Sequence, residues 1–210
     1  MEKQQTLESS GGTLKKAIQV FQAGRIRDTY QDIAQKPEYT NLTEFFFHQI
    51  YGPQDFEFRN DSIKSLHGKL SGFLKGEIID AVGKVIQLND LTDELDEKMA
   101  VKLSGNFSGE RLSMETYASL YRSLDNYDQR VQQIDLMIEA TTGIHRISQM
   151  WMVGWTLKAV KQAAQVAGFG KIAEFLVEGY DAFQSVKNIR FFTETVESRE
   201  KKLNDELFGK

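Results

Sequence analysis

The chain lacks cysteine entirely. That excludes disulfides, thiolate metal sites and a cysteine nucleophile. Proline is almost missing: only Pro37 and Pro53 are present, so long helices can run without losing a backbone donor. No strongly basic block occurs, the net charge is −4 and the pI is about 5.5, so nucleic acid is not an expected partner. The most apolar stretch, residues 150–157, is closed by Lys158 and Lys161. A spanning helix needs about 20 apolar residues, so no transmembrane segment is expected. Residues 1–12 are polar and lack the apolar centre of a signal peptide. Together with the missing cysteine, this gives an expected cytoplasmic location.

What is present is an ordinary globular mixture in a chain of 210 residues. At this length folding buries roughly 70% of the unfolded surface, so neither a disulfide nor a metal is needed to hold a core. Residues 1–12 read as a disordered tail ending in Gly11-Gly12, after which Thr13 can cap a helix. Leu14, Ile18, Phe21, Tyr30 and Ile33 follow at mostly helical spacing, and the helix should stop before Pro37. Asn41 with Glu44 resembles a capping box opening a short apolar helix through Phe45, Phe46 and Phe47 to Tyr51. Residues 62–104 read as helix in two or three pieces with a break near Asn89. Ser113 caps the next helix, and a long one starts near Tyr127, runs past Ile147 and bends at Gly154. Gly168-Phe169-Gly170 breaks it, and two further amphipathic helices end the chain.

No period-2 strand pattern, hairpin signal or repeat is visible. The expected fold is therefore all-α, an irregular multi-helix bundle of roughly seven to nine helices. Residues 13–210 read as a single helical domain, with the loop at 104–109 the best place for a sub-domain boundary.

The familiar catalytic and metal motifs fail on particular residues. Gly168-Phe169-Gly170-Lys171 lacks the first glycine of a phosphate loop and has Ile172 where Ser or Thr would bind magnesium. The acidic run Asp90 to Glu97 has Leu95 where a calcium loop needs glycine. His-Glu-x-x-His, Gly-x-Ser-x-Gly and Glu-x-x-His are all absent. Glu44 and His48 lie four apart and can share a helix face, but no further ligands are evident. No catalytic residue, metal site or cofactor is expected.

The segment Phe45-Phe-Phe-His-Gln-Ile-Tyr-Gly-Pro-Gln-Asp-Phe-Glu-Phe-Arg-Asn60 stands apart. It resembles the signature of an uncharacterised bacterial protein family, F-F-x-x-x-[LI]-Y-G-P-x-D-F-x-x-R-[DN]. The likeness extends to Arg27-Asp28-x-Tyr30, to Arg130-x-x-Gln133, and to Glu197-x-Arg199-Glu200. The resemblance implies no assigned activity. The family pattern often has an acidic residue where this chain has His48, which speaks against a general catalytic role for that histidine.

Two readings of the segment stand side by side. In the structural one, Gly52-Pro53 sets a turn, Asp55 accepts backbone N–H groups, Phe56 plugs the core and Arg59 satisfies carbonyls near a helix end. In the ligand reading, Asp55 and Arg59 form a charge-assisted pair on a pocket rim, Arg59 clamps a carboxylate or phosphate, and Tyr51 donates a hydrogen bond. Arg25, Arg27 and Asp28 join that cluster, and Asp28 pairs with Arg59 if the helices pack together. The candidate ligand-binding residues are Tyr51, Asp55, Arg59, Arg27 and Asp28.

Trp151, Met152 and Trp155 read first as core. Because tryptophan and methionine favour binding surfaces, a protein interface is the next reading, and with Lys158 and Lys161 nearby a membrane contact is the third. The function remains unknown from the sequence. A non-catalytic helical interaction or small-ligand-binding protein leads. The alternatives are an enzyme of unrecognised type around Tyr51, Asp55 and Arg59, with Glu44 and His48 as candidate helpers, and a peripheral membrane-surface protein using Trp151 and Trp155. Aromatic-rich helix faces lean toward a homo-oligomer, and a protein or small-molecule partner is unidentified.

Overall fold

The computed structural model describes the backbone of residues 2–51, 64, 76–104, 112–166 and 170–210, with side chains for all but 2–11, 160 and 162–166. Among these residues the chain forms nine α-helices, one π-helical turn and no strand. In order they are α1 (Glu2–Thr29), α2 (Gln31–Ala34), α3 (Thr40–Phe45) leading into the π-helical turn (Phe46–Ile50), and α4 (Glu77–Leu103). Then come α5 (Met114–Ser123), α6 (Tyr127–Ser148), α7 (Trp151–Val166), α8 (Gly170–Gln184) and α9 (Ile189–Phe208). The expected all-α multi-helix bundle is the observed one.

Helix ends follow local chemistry. Ser113 Oγ accepts from the backbone N of Thr116 at 3.2 Å and opens α5, and Asn188 Oδ1 accepts from Phe191 N at 3.1 Å and opens α9. Pro37 sits in the connection between α2 and α3.

Four expectations are corrected. First, α1 is helical from Glu2, ahead of the expected start at Thr13. Glycines inside a helix cost about 0.5–1 kcal/mol each but keep their N–H donors, so Gly11-Gly12 weakens the helix without ending it. Second, α4 passes Asn89 unbroken. Its acidic run needs no helix N-terminus, because Lys15 Nζ reaches Asp93 Oδ1 at 2.6 Å and Lys98 Nζ meets Glu94 at 2.6 Å. Third, α3 starts at Thr40 and has no side-chain cap, so Asn41 and Glu44 form no capping box. Thr40 Oγ1 instead donates back to the carbonyls of Ala34 and Lys36. Fourth, the long helix from Tyr127 ends at Ser148 and restarts at Trp151, instead of bending at Gly154. Gly154 is a packing contact: a Cβ there would lie 2.5 Å from Tyr180 Oη on α8. The expected loop at 104–109 and the helix after Asn60 fall largely outside the described residues.

The core has two parts. In one, Ile18 of α1, Met99 and Leu103 of α4, Tyr117 and Tyr121 of α5 and Leu207 of α9 pack together. In the other, Tyr30, Ile33, Tyr39, Leu42 and Phe47 pack against Phe183 of α8 and Phe192 and Val196 of α9. A fully buried side chain such as Leu42 contributes about 1.5–3 kcal/mol. Helices α1 and α9 belong to both clusters.

Candidate functional site

Between the clusters, the apolar stripes of α1 and α9 each contain a charge. On α9 the buried positions Phe192 and Val196 are followed four residues later by Glu200, then by Leu203 and Leu207. On α1, Ile18 and Phe21 are followed by Arg25, and Tyr30 stands one residue past the helix end. Helical periodicity therefore aims both charges inward. They meet each other: Arg25 Nη1 donates to Glu200 Oε1 at 2.9 Å, and both side chains are only 13% exposed. Tyr30 Oη donates to the same oxygen at 2.8 Å.

The electrostatics follow from that contact. Burial opposes the charge of Arg25, but the Glu200 carboxylate outweighs it and holds the guanidinium above its usual value. Burial, reinforced by the same carboxylate, pushes the Tyr30 phenol up. One residue earlier on α9, Arg199 grips Asp32 through two bonds of 2.7 Å and donates to the Thr29 carbonyl at 2.7 Å. The C-terminal helix is thus tied to the α1–α2 corner by directional bonds as well as by packing.

A second buried polar group lies deeper. Asp96 on α4 is 1% exposed and accepts from Gln22 Nε2 at 3.1 Å and Gln19 Nε2 at 3.3 Å. Burial pushes its carboxyl above the usual range, against the pull of Gln22 and Arg130. Arg130 on α6, 2% exposed, donates to Gln133 Oε1 at 3.1 Å and to Met99 Sδ, and lies 4.4 Å above the Tyr121 ring. Asp96 and Arg130 also occupy apolar register, three residues before Met99 and four before Ile134. A charge inside an apolar stripe is the sequence signal for all four of these residues.

Of the nominated ligand residues, Arg27, Asp28 and Tyr51 are among the described residues. Arg27 and Asp28 are exposed on α1. Arg27 Nη2 donates to the Phe47 carbonyl at 3.0 Å, with its guanidinium 5.9 Å from the Phe47 ring. The π-helical turn supports this contact: Tyr51 N donates to Phe46 O at 2.8 Å, five residues back. Tyr51 is half-buried, and its phenol is near enough to influence both Arg25 and Tyr30. Asp55 and Arg59 lie outside the described residues. Glu44 and His48 meet at 2.9 Å on the surface, with side chains 55% and 64% exposed. An open groove between α4 and α6, lined by Gln87, Asp90, Leu91, Glu94, Gln132 and Leu136, includes none of the nominated residues.

The expectation that Trp151, Met152 and Trp155 are core is overturned. They are 69%, 63% and 75% exposed, and the two indole rings stand edge to face 6.4 Å apart. The opposite side of α7 is the packed one. It brings Gly154 against Tyr180, whose hydroxyl accepts from Gln184 Nε2 at 2.9 Å. With the smallest residue at the contact and the largest pointing away, the helix presents its bulkiest apolar groups to solvent.

Fold and site together define an all-α bundle with charged ties through its core and an exposed aromatic face on one helix. The chain belongs to the family described as Domain of unknown function (DUF8198), whose model matches residues 2–210. No curated protein and no solved structure matches the chain. Among the described residues no helix is long and apolar enough to cross a membrane.

Proposed function

We propose that the chain is a non-catalytic helical interaction protein that meets its partner through the outer face of α7. One observation carries this reading: Trp151, Met152 and Trp155 stand exposed side by side. Tryptophan and methionine are enriched where proteins make contacts, and a contiguous exposed apolar patch is costly unless something covers it. The charged groups of the core bond one another across helices, which suits a rigid scaffold behind such a face.

The test is site-specific photo-crosslinking in the source cells, with a photoreactive amino acid at Met152 and, separately, at exposed Val20 on α1. Labelling of a partner, protein or lipid, at position 152 that is missing at position 20 is the expected result. Equal, diffuse labelling at both positions removes the reading.

A second reading keeps Tyr51, Asp55, Arg59, Arg27 and Asp28 as a polar site for a small anionic ligand. It is supported by Arg27, which reaches from α1 to the carbonyl of Phe47 and so stands beside the segment leading into Asp55 and Arg59. Native mass spectrometry of the purified chain tests it. A stoichiometric bound small molecule that is lost in Arg27→Ala supports this reading, and a clean apo mass counts against it.

A further inference from the structure

We infer that the exposed face of α7 docks on an anionic lipid surface; this deepens the interaction reading above and rests on it. Among the described side chains, the outer arc of the helix consists of Lys158, Trp151, Trp155, Ala159, Met152 and Thr156, all exposed. Large apolar groups run along the middle of the arc, with an ammonium at one edge. Thr156 is the only hydroxyl among them, and it donates to the Met152 carbonyl of its own helix at 2.9 Å. The face therefore offers apolar area, two indole N–H groups and positive charge, with no carboxylate.

Charge is segregated around this helix. From Ala140 to Ala173 the chain carries Lys158, Lys161 and Lys171, together with Arg146, which faces Glu77 at 4.0 Å, and no aspartate or glutamate, in a protein whose net charge is −4. Glu174, Glu178 and Asp181 follow on α8, where Glu178 accepts from Gln49 Nε2 at 2.8 Å. A local basic zone in an acidic chain selects an anionic partner. It also disfavours a second copy, because a two-fold contact through this face would set Lys158 and its neighbours against themselves.

Among anionic partners the lipid headgroup layer fits best. Indole rings settle at the membrane–water boundary, where the ring is apolar and its N–H stays hydrated. The face is the outer side of a helix, and its described side chains offer few hydrogen-bonding groups to match a particular protein surface. A helix with an apolar face and flanking lysines lies in the plane of such an interface. No spanning helix is required.

Trp151 and Trp155 are the only tryptophans in the chain, so emission excited selectively from tryptophan reports this face alone. The full chain is mixed with vesicles of phosphatidylcholine and phosphatidylglycerol, or of phosphatidylcholine alone, and followed by co-sedimentation and emission. Co-sedimentation with the anionic vesicles only, a blue shift and loss of binding at high salt are expected. Lys158→Gln should weaken binding roughly fivefold, the effect of one cation near an anionic surface. Trp151→Ser/Trp155→Ser should abolish co-sedimentation with the helical circular dichroism unchanged. Binding that survives the double substitution overturns the inference, as does no binding to either vesicle. Emission that shifts with protein concentration alone, with a dimer in sedimentation, overturns it in favour of a second copy. Iodide quenching without vesicles separates the two levels: accessible tryptophans with no vesicle binding end the lipid inference alone, whereas shielded tryptophans end the interaction reading as well.

Discussion

Arg25 and Glu200, 175 positions apart in sequence, meet at 2.9 Å where the two hydrophobic clusters adjoin. Glu200→Leu leaves the Arg25 guanidinium buried without its counter-ion, and urea unfolding should show a loss of about 3–5 kcal/mol. Arg25→Met/Glu200→Leu should recover most of that loss, because an apolar pair of similar volume replaces both charges. If the double variant is as unstable as the single one, the cost lies in packing and not in the orphaned charge.

Tyr30→Phe removes one donor from Glu200 and leaves the Arg25 bond in place. The expected loss is about 1 kcal/mol. Combined with Glu200→Leu it should add almost nothing, since the acceptor is already gone. Additive losses in that cycle would mean that the hydroxyl has another role.

Two carboxylates should give the stability–pH curve opposing slopes. Asp96 has a raised native pKa, so the folded chain holds its proton more tightly than the unfolded chain. Between the ordinary carboxylate value and the raised one, stability falls as pH rises, and Asp96→Asn should remove that fall. The hydrogen bonds from Arg199 lower the native pKa of Asp32. Its contribution is present above the ordinary value and lost as pH drops through the lowered one. The Asp32 side chain is 56% exposed, so this loss should stay within roughly 1 kcal/mol and vanish in Asp32→Asn. Thermal melts across the acidic range read both slopes.

Gly154→Ala should destabilise the fold although alanine is the better helix former. The added methyl would sit 2.5 Å from Tyr180 Oη and 2.6 Å from its Cζ, so the ring on α8 must move. Overpacking of this kind costs about 1–3 kcal/mol, against a propensity gain of about 1. Adding Tyr180→Leu should shrink the cost of the alanine. An unchanged melting temperature in Gly154→Ala would show that the α7–α8 contact yields.

Trp151→Ser/Trp155→Ser should shift stability by no more than about 0.5 kcal/mol, as expected for exposed positions. Were either ring in the core, the loss would be about 3–5 kcal/mol. Chemical denaturation followed by circular dichroism distinguishes the two without relying on fluorescence.

Legibility in the sequence varied from element to element. Ser113 reads directly as a cap, because capping needs only one hydroxyl a fixed distance before a helical run. Tyr117, Leu120 and Tyr121 read directly as a buried face, because periodicity is local. Glu200 carries a side chain that usually lies in water, but its spacing from Val196 and Leu207 places it in the buried stripe. Trp151 and Trp155 depart in the opposite direction. Their size suggested core, and only packing shows that α7 turns Gly154 inward instead. Of the nominated site, Tyr51, Arg27 and Asp28 are among the described residues, while Asp55 and Arg59 fall outside them.

The amino-acid order by itself determined the helical class and most helix positions. Those depend on interactions within a few residues: side-chain periodicity, capping and the scarcity of proline. Tertiary structure alone decided which charges found partners and which apolar groups stayed in water. Arg25 and Glu200, or Gly154 and Tyr180, become neighbours only when distant helices pack, and one sequence carries no record of that distance.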